Sequence, residues 1–149
     1  MVTSLNQNGA GSKRVVVVGC GRLGATITTA LAEQGYSIHI LDLNFAAFER
    51  LPPGMVSDGQ IVPIVGDGTL ESDLRKAYSQ EADVFIAVTG RDTRNALAAQ
   101  TAKHIFQVPN VICRMNDPIR TEMYNVLGIV AISATKLVSD MILTEATSR

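Results

Sequence analysis

The segment from Val15 to Gly24 reads VVVVGCGRLG. Four consecutive valines show no polar alternation, which is typical of a strand that is covered on both faces in a parallel sheet. The glycines that follow have the spacing GxGxxG, and an amphipathic stretch begins directly after them. A strand, a glycine-rich turn and a helix in this order predict the first βαβ unit of a doubly wound fold.

Five further apolar segments follow this unit at fairly even spacing, and residues at helical spacing lie between them. We predict strands over 14–19, 37–42, 60–65, 84–88, 110–114 and 129–133. The alternation predicts an α/β fold, a doubly wound parallel six-stranded Rossmann sheet with helices on both faces. This domain would span residues 13–149, after a flexible N-terminal leader over residues 1–12.

The segments between the strands contain patterns that predict helices and one loop. Apolar residues at helical spacing predict helical crossovers: Leu23, Ile27, Ala30 and Leu31 after the first strand, and Ile119, Met123, Val126 and Leu127 after the fifth. The segment 51–59 is rich in Pro and Gly, which predicts a loop. The last helix has an apolar stripe that either covers the final strand or packs on a second subunit: Ala134, Leu137, Val138, Met141 and Ile142.

Composition narrows the possible functions. The chain has 149 residues, of which 46% are apolar and 18% charged, and its formal net charge is -1. Because no basic stripe exists, a nucleic-acid partner is not expected. Cys20 and Cys113 lack the spacing of a metal or redox pair and are interpreted as buried thiols. No signal peptide and no apolar stretch of about 20 residues is present, so we expect a cytoplasmic protein.

The glycine motif predicts a site for a nucleotide diphosphate. Gly19 would permit the tight turn, Gly21 would let the backbone approach the phosphates, and Gly24 would let the helix lie close to the strand. The N–H groups and the dipole of the helix N-terminus favour an anion there. Arg22, inside the loop, either contacts a phosphate or lies in solvent.

Asp42 ends the second predicted strand, roughly 20 residues after the glycines, where a carboxylate can bind the hydroxyls of an adenine-linked ribose. Leu43 and Asn44 follow it, so no base there is ready for a 2′-phosphate. This favours NAD(H) or ATP/ADP over NADP. The alternative is that Asp42 only ends the strand or caps a helix.

Two small-residue loops should open at the same edge of the sheet as the glycine motif. The segment Gly66 to Thr69 follows the third predicted strand, and Thr89 and Gly90 follow the fourth. Their small side chains leave room for a base and a ribose. Asp67 or Thr69 could instead only cap the helix that begins near Leu70.

Several short segments resemble, in their order, one family of nucleotide-binding domains. They are VGCGRLG at 18–24, Asp42, GDGT at 66–69, DVFIAVTG at 83–90, Arg94 with Asn95, and ICRMNDP at 112–118. Together they resemble the N-terminal domain of TrkA-type potassium-transport regulators, also called RCK or KTN domains. The resemblance extends from Lys13 to Leu143.

The resemblance implies a cytosolic regulatory subunit, peripheral to the inner face of the plasma membrane, that gates a potassium channel or transporter when NAD(H), ATP or ADP binds. Members of the family form dimers and larger rings. The glycine loop would hold the phosphates, Asp42 the ribose, Asp67 and Gly68 the adenosine region, and Thr89 and Arg114 the far side of the ligand. The full set of predicted nucleotide-binding residues is Gly19, Cys20, Gly21, Arg22, Leu23, Gly24, Asp42, Leu43, Asp67, Gly68, Thr69, Thr89, Gly90 and Arg114.

The chain also departs from the family pattern. The segment 51–60 matches no family motif, and the sequence ends near the last helix without the smaller C-terminal domain that many members carry. The chain is therefore expected to be either part of a longer protein or a stand-alone regulator.

The competing functions are a small NAD-dependent oxidoreductase and an NADH/NAD redox sensor. Few residues follow the dinucleotide fold, which leaves no substrate domain. His39 is predicted inside a strand and His104 late in a helix, so neither is placed as a general base. We therefore predict no catalytic residue and no metal ligand.

Overall fold

A computed structural model describes residues 12–148. Six parallel strands form one sheet in the order β3-β2-β1-β4-β5-β6. The strands are β1 (Arg14–Val18), β2 (Ser37–Asp42), β3 (Ile61–Val65), β4 (Val84–Ala87), β5 (Asn110–Arg114) and β6 (Val130–Ile132). All six predicted strands and the doubly wound fold are confirmed. The strand order reverses between β1 and β4, where ligands bind in folds of this kind. The predicted leader lies almost wholly outside the described residues.

The strands are connected by helices and short helical turns. The α-helices are α1 (Arg22–Glu33), α2 (Pro53–Ser57), α3 (Glu71–Lys76), α4 (Asp92–Gln100), α5 (Pro118–Val126) and α6 (Ala134–Ala146). Two 3₁₀ turns span Phe45–Arg50 and Ser79–Glu81, and a π-helical turn, Thr101–Ile105, continues α4. Within residues 12–148, no helix has the length and apolar character that crossing a bilayer requires.

The valines of β1 show why the sheet is covered on both faces. Val15 and Val17 pack in one core with Ala25 and Ala32 of α1. Val16 and Val18 pack in the other core, which includes Leu74 of α3 and several alanines of α4. Successive side chains of a strand point to opposite faces, so an unbroken apolar run supplies both cores.

The prediction of a loop over 51–59 is wrong in part. Residues Pro53–Ser57 form the short helix α2, with Pro53 in its first turn. Proline is tolerated there because its missing N–H would have no partner inside the helix, and its fixed φ suits helical geometry. The Pro-Pro-Gly composition therefore begins a short helix.

The predicted first helix is confirmed, and it packs against the sheet through small residues. Its buried residues are Gly24, Ala25, Thr28 and Ala32. Ile27 and Leu31 are half-buried, Ala30 is exposed, and Leu23 is 41% exposed. Close packing of the helix on β1 selects small side chains for the contact and leaves the larger apolar ones at its border.

Neither α5 nor α6 buries a residue within the described chain. The predicted stripe of α5 is exposed, and Val126 is 86% exposed. On α6, Leu137, Met141 and Ile142 are each more than half exposed. The interpretation that α6 covers its own sheet is therefore wrong, and each of the two helices leaves apolar side chains exposed.

Candidate nucleotide-binding site

A cavity of about 120 Å³ lies where the carboxyl ends of the first four strands meet. It is lined by Val18, Gly19, Leu41, Asp42, Leu43, Gly66, Gly68, Thr89 and Arg94. A wider, open groove of about 660 Å³ runs along the exposed face of α1 between Arg22 and Glu33. We place the candidate site at the smaller cavity because the glycine loop, the reversal of strand order and the predicted carboxylate all meet there.

Two glycines of the loop are required by close backbone packing. Gly19 has a φ of +108°, and a Cβ atom there would lie 3.0 Å from the backbone nitrogen of Thr89. A Cβ atom on Gly24 would lie 1.8 Å from the carbonyl oxygen of Gly19. Gly19 N–H donates to the carbonyl of Leu41 at 2.8 Å, which joins the loop to the end of β2. The loop is thus held tightly between β1, β2 and β4.

The backbone N–H groups at the N-terminus of α1 have no side-chain cap. Gly21 is the N-cap residue, no side chain caps the helix, and its first turn contains no acidic residue. Free N–H groups and the positive end of the helix dipole therefore remain available to an anion. This arrangement suits a phosphate group.

Asp42 holds the glycine loop as well as bordering the cavity. Its Oδ2 atom accepts a hydrogen bond from Cys20 N–H at 2.7 Å, and its Oδ1 atom accepts one from Asn44 N–H at 2.8 Å. A carboxylate oxygen can accept more than one hydrogen bond, so both oxygens retain capacity for ribose hydroxyls. Asp42 can therefore hold the glycine loop and still accept hydrogen bonds from a ribose.

Arg50 is a residue that the sequence analysis missed. The 3₁₀ turn brings its guanidinium to the glycine loop, where Nη1 donates to the carbonyl of Cys20 at 3.4 Å. The two residues directly after Asp42, Leu43 and Asn44, are not basic. No sequence motif marks Arg50, because its position depends on how the chain turns back after β2.

Asp67 forms an ion pair at the border of the cavity. Its Oδ1 atom lies 2.6 Å from Nη2 of Arg94 and also accepts hydrogen bonds from the hydroxyl and the N–H of Thr69, at 2.6 and 2.9 Å. These bonds, from the Thr69 hydroxyl above all, lower the pKa of Asp67. The capping interpretation of Asp67 and Thr69 is wrong, since α3 begins at Glu71 and no side chain caps it.

Asn95 is fully buried and fixes the loop after β4. Its Oδ1 atom accepts hydrogen bonds from the N–H and the hydroxyl of Thr89, at 2.8 and 2.6 Å. Its Nδ2 group donates to the carbonyls of Thr89 and Arg114, both at 3.0 Å. Arg94 and Asn95 belong to the family pattern but are not among the residues predicted for the site.

The remaining predicted residues are placed differently. Leu43 lines the cavity and is 58% exposed, which gives the site an apolar border. Cys20, Thr69 and Gly90, on the surrounding loops, and Arg22 and Leu23, in the first turn of α1, do not line it. Arg114 does not line it either: its Nε atom lies 3.3 Å from Oδ1 of Asn116. The structure thus brings together Gly19, Asp42, Leu43, Gly68 and Thr89 at one cavity.

Both cysteines are buried, as predicted. Burial raises the pKa of each thiol to about 11, and the negative charge of Asp42 adds to the effect at Cys20, as that of Asp92 does at Cys113. Thiolates are the reactive form, so neither thiol should react with a disulfide reagent at pH 8 until the protein unfolds.

The raised thiol pKa values also predict how stability depends on pH. Between about pH 9 and pH 11 the thiols of the unfolded chain lose protons while the folded ones keep them, so the free energy of unfolding falls as pH rises. Urea denaturation across this range should show a steeper fall in the native protein than in the Cys20→Ala/Cys113→Ala variant. Equal slopes in the native protein and the variant would contradict this prediction. Rapid labelling of the folded native protein by a disulfide reagent would contradict the low thiol reactivity.

Comparison with known proteins shows which family the chain belongs to. The family model of the TrkA-N domain matches residues 15–135. The Trk system potassium uptake protein TrkA of Streptomyces coelicolor is 36% identical over 129 residues, which cover 87% of this chain and 56% of that protein. The chain thus spans about half the length of this relative.

Solved structures share the fold at low sequence identity. The TrkA-N domain of the inner membrane protein ybaL from Escherichia coli has a TM-score of 0.75 at 12% identity, covering 90% of this chain and 96% of that one. GsuK bound to ADP has a TM-score of 0.75 at 16% identity, covering 93% and 36% of the two chains. The GsuK channel bound to NAD has a TM-score of 0.65 at 15% identity, covering 85% and 22%. With its sequence match and its strand order, this chain belongs to the TrkA-N domain family.

Proposed function

We propose that this TrkA-N domain is a regulatory module that binds an adenine nucleotide, NAD(H) or ATP/ADP, and thereby controls potassium transport. The observation that carries the proposal is the placement of the glycine loop, with the uncapped N-terminus of α1 on one side and Asp42 on the other. This is the combination that a diphosphate and its ribose require. The name of the Streptomyces relative and the ligands named for GsuK support it.

The partner that we propose is a membrane-embedded potassium channel or transporter subunit. The relative is named as a potassium uptake protein, and GsuK is named as a channel. The domain would then work at the inner face of the plasma membrane, on the cytoplasmic side, through this partner. Binding can regulate transport only if the nucleotide has different affinities for two conformations of the assembly.

The positions of the histidines favour a regulator over a dehydrogenase. His39 lies on β2, where its Nδ1 atom is 2.9 Å from the carbonyl oxygen of Ala77. His104 lies in the π-helical turn after α4 and is exposed. Neither ring lines the cavity, so neither is placed to exchange a proton with a substrate at the nucleotide.

Replacing Asp42 tests the nucleotide site. The thermal midpoint should rise when NAD, NADH, ATP or ADP is added, because a ligand of the native state stabilises it by mass action. Asp42→Ala should weaken the binding measured by calorimetry about ten-fold or more, since hydrogen bonds to charged groups contribute about 1.5–3 kcal/mol. Asp58→Ala is a matched control, because Asp58 also accepts a backbone N–H bond, from Gln60, but lies before β3 rather than at the site.

Each outcome of this experiment has a definite meaning. If none of the four nucleotides binds at millimolar concentration, the proposed function is wrong. A difference of more than about ten-fold between NAD and NADH affinities would favour the redox sensor. Oxidation of NADH with a carbonyl substrate would favour the oxidoreductase.

We further propose that α6 forms the contact between subunits of a homodimer or larger ring. Its Leu137, Val138, Met141 and Ile142 share one face of the helix and are each more than half exposed, and such an apolar face is uncommon on a monomer. Light scattering should give at least twice the monomer mass, and Met141→Glu should reduce it to that of a monomer. Ser139→Glu, on the side of α6 that faces away from this stripe, should leave the mass unchanged. A monomeric native protein would contradict the proposal.

A further inference from the structure

The first turn of α4 connects the loops that surround the candidate site. Arg94 pairs with Asp67 in the loop after β3, and Asn95 bonds Thr89 in the loop after β4. Asp92 accepts hydrogen bonds from the N–H groups of Asn116 and Asp117, at 2.9 and 3.1 Å, in the loop after β5. One helical turn therefore fixes three consecutive loops at the carboxyl edge of the sheet.

Asn95 has no spare capacity in this arrangement. Both of its Nδ2 protons are donated, one to the carbonyl of Thr89 and one to that of Arg114, and its Oδ1 atom accepts two bonds from Thr89. The side chain is fully buried, so a bond that breaks is not replaced by water. A shift of Thr89 must therefore move Asn95, and with it the end of β5, or leave a buried polar group without a partner.

The end of β5 is linked in turn to the start of α6. The hydroxyl of Ser133 donates to the carbonyl of Asn116 at 3.0 Å and accepts a hydrogen bond from the N–H of Lys136 at 3.0 Å. Ser133 is thus the N-cap of α6 and is itself buried. The N–H of Met115 also donates to the carbonyl of Ile132, at 2.8 Å.

These bonds have particular weight because α6 has little other attachment to the domain. None of its residues is buried within the described chain, so the Ser133 bonds and the preceding strand fix its direction. A displacement of Asn116 by a fraction of a bond length would change the geometry of the cap. Because α6 extends from Ala134 to Ala146, a small rotation at its first turn would move its last turn by a larger distance.

We propose that Asn95 is a positioning residue that couples the nucleotide site to α6, acting through Thr89 on one side and through Arg114, Asn116 and Ser133 on the other. The proposal rests on the proposed function, because it names the route by which a nucleotide at this site reaches the apolar surface of α6. Asn95 itself need not touch the ligand. Its role is to make the loop after β4 and the end of β5 move as one unit.

The sharpest test leaves the nucleotide site intact. Ser133→Asp keeps an oxygen that can accept from Lys136 N–H, so α6 retains its cap, but it removes the donor to the Asn116 carbonyl. Ser133→Thr, which keeps both functions, is the matched control. The measurement is amide hydrogen exchange of α6, with and without saturating ADP, in the full chain, together with calorimetry of ADP binding.

In the native protein and in Ser133→Thr, ADP should change exchange in the first turns of α6 by about five-fold or more, a typical allosteric coupling. Ser133→Asp should bind ADP within about two-fold of the native protein, and its α6 exchange should no longer respond. An unchanged ADP response in Ser133→Asp would overturn the coupling, as would an α6 that does not respond in the native protein. Absence of ADP binding in the native protein would instead show that the proposed function fails.

A second variant tests Asn95 directly. Asn95→Asp keeps the shape of the side chain, but a carboxylate cannot donate a hydrogen bond. The carbonyls of Thr89 and Arg114 therefore both lose their donor. If it folds, it should lose the α6 response even when calorimetry shows the site to be saturated with ADP. A purely structural role would weaken ADP binding and leave the response at saturation unchanged, and this result would contradict the proposal.

Discussion

Gly24→Ala is expected to lower the free energy of unfolding by about 3 kcal/mol or more, or to prevent folding altogether. The added Cβ atom would lie 1.8 Å from the carbonyl oxygen and 2.9 Å from the carbonyl carbon of Gly19. Both atoms belong to the backbone of the loop, which is bonded to Leu41 and packed on Thr89, so they cannot move aside without shifting α1. Urea denaturation followed by circular dichroism measures the effect.

Gly90→Ala is the matched control for this experiment. Gly90 also lies in a loop at the carboxyl edge of the sheet, but its Cβ atom would meet nothing within 4 Å, and its φ lies outside the left-handed region. Its free energy of unfolding should stay within about 0.5 kcal/mol of the native value. If Gly24→Ala were as stable as Gly90→Ala, α1 would not lie as close to β1 as the structure shows.

The sheet and the glycine loop could be predicted because their signals are local. An unbroken run such as Val15 to Val18 is needed only where both faces of a strand are covered, and a glycine-rich turn between a strand and a helix has few other uses. The carboxyl ends of parallel strands meet at one edge, so Asp42, Gly68 and Thr89 could be placed at that edge because each lies at or just after the end of a predicted strand.

The buried face of α1 could not be predicted from its apolar stripe. Hydrophobic periodicity finds the larger apolar residues, such as Leu23 and Ile27, but the contact with β1 is so close that Gly24 and Ala25 occupy it. On α5 and α6 the same rule identified apolar stripes whose residues are exposed in this chain. Periodicity indicates which face is apolar, not what covers that face.

The polar residues around the site depend on tertiary contacts. Arg94 reaches Asp67, which is 27 positions earlier in the sequence, and Arg50 reaches Cys20, which is 30 positions earlier. No spacing rule relates such residues, because each pair is brought together by the folding of two different connections. Asn95 gave no sign of its role for the same reason: its partners Thr89 and Arg114 belong to two different strand ends.

Gly21→Ala should separate stability from nucleotide binding. A Cβ atom at Gly21 would meet nothing within 4 Å, and its φ of −76° is one that any residue adopts. The free energy of unfolding should therefore fall by no more than about 1 kcal/mol, the usual cost of alanine at a helix N-cap position. If the diphosphate approaches this backbone as we propose, the same methyl group would lie between the loop and the ligand, and the affinity for ADP or NAD should fall about ten-fold or more, or about 1.4 kcal/mol.

Adenosine provides the control ligand for Gly21→Ala, because it has the base and the ribose but no phosphate. Calorimetry should show its affinity for the variant within about two-fold of that for the native protein, since the added methyl group lies at the phosphate end. Equal losses for adenosine and ADP would mean that the loop has moved as a whole. Unchanged ADP binding would show that the glycine loop does not hold the phosphates, even though Gly24 is still required for the fold. The two glycines, three positions apart, thus test separately the packing of this loop and the proposed binding of a nucleotide by it.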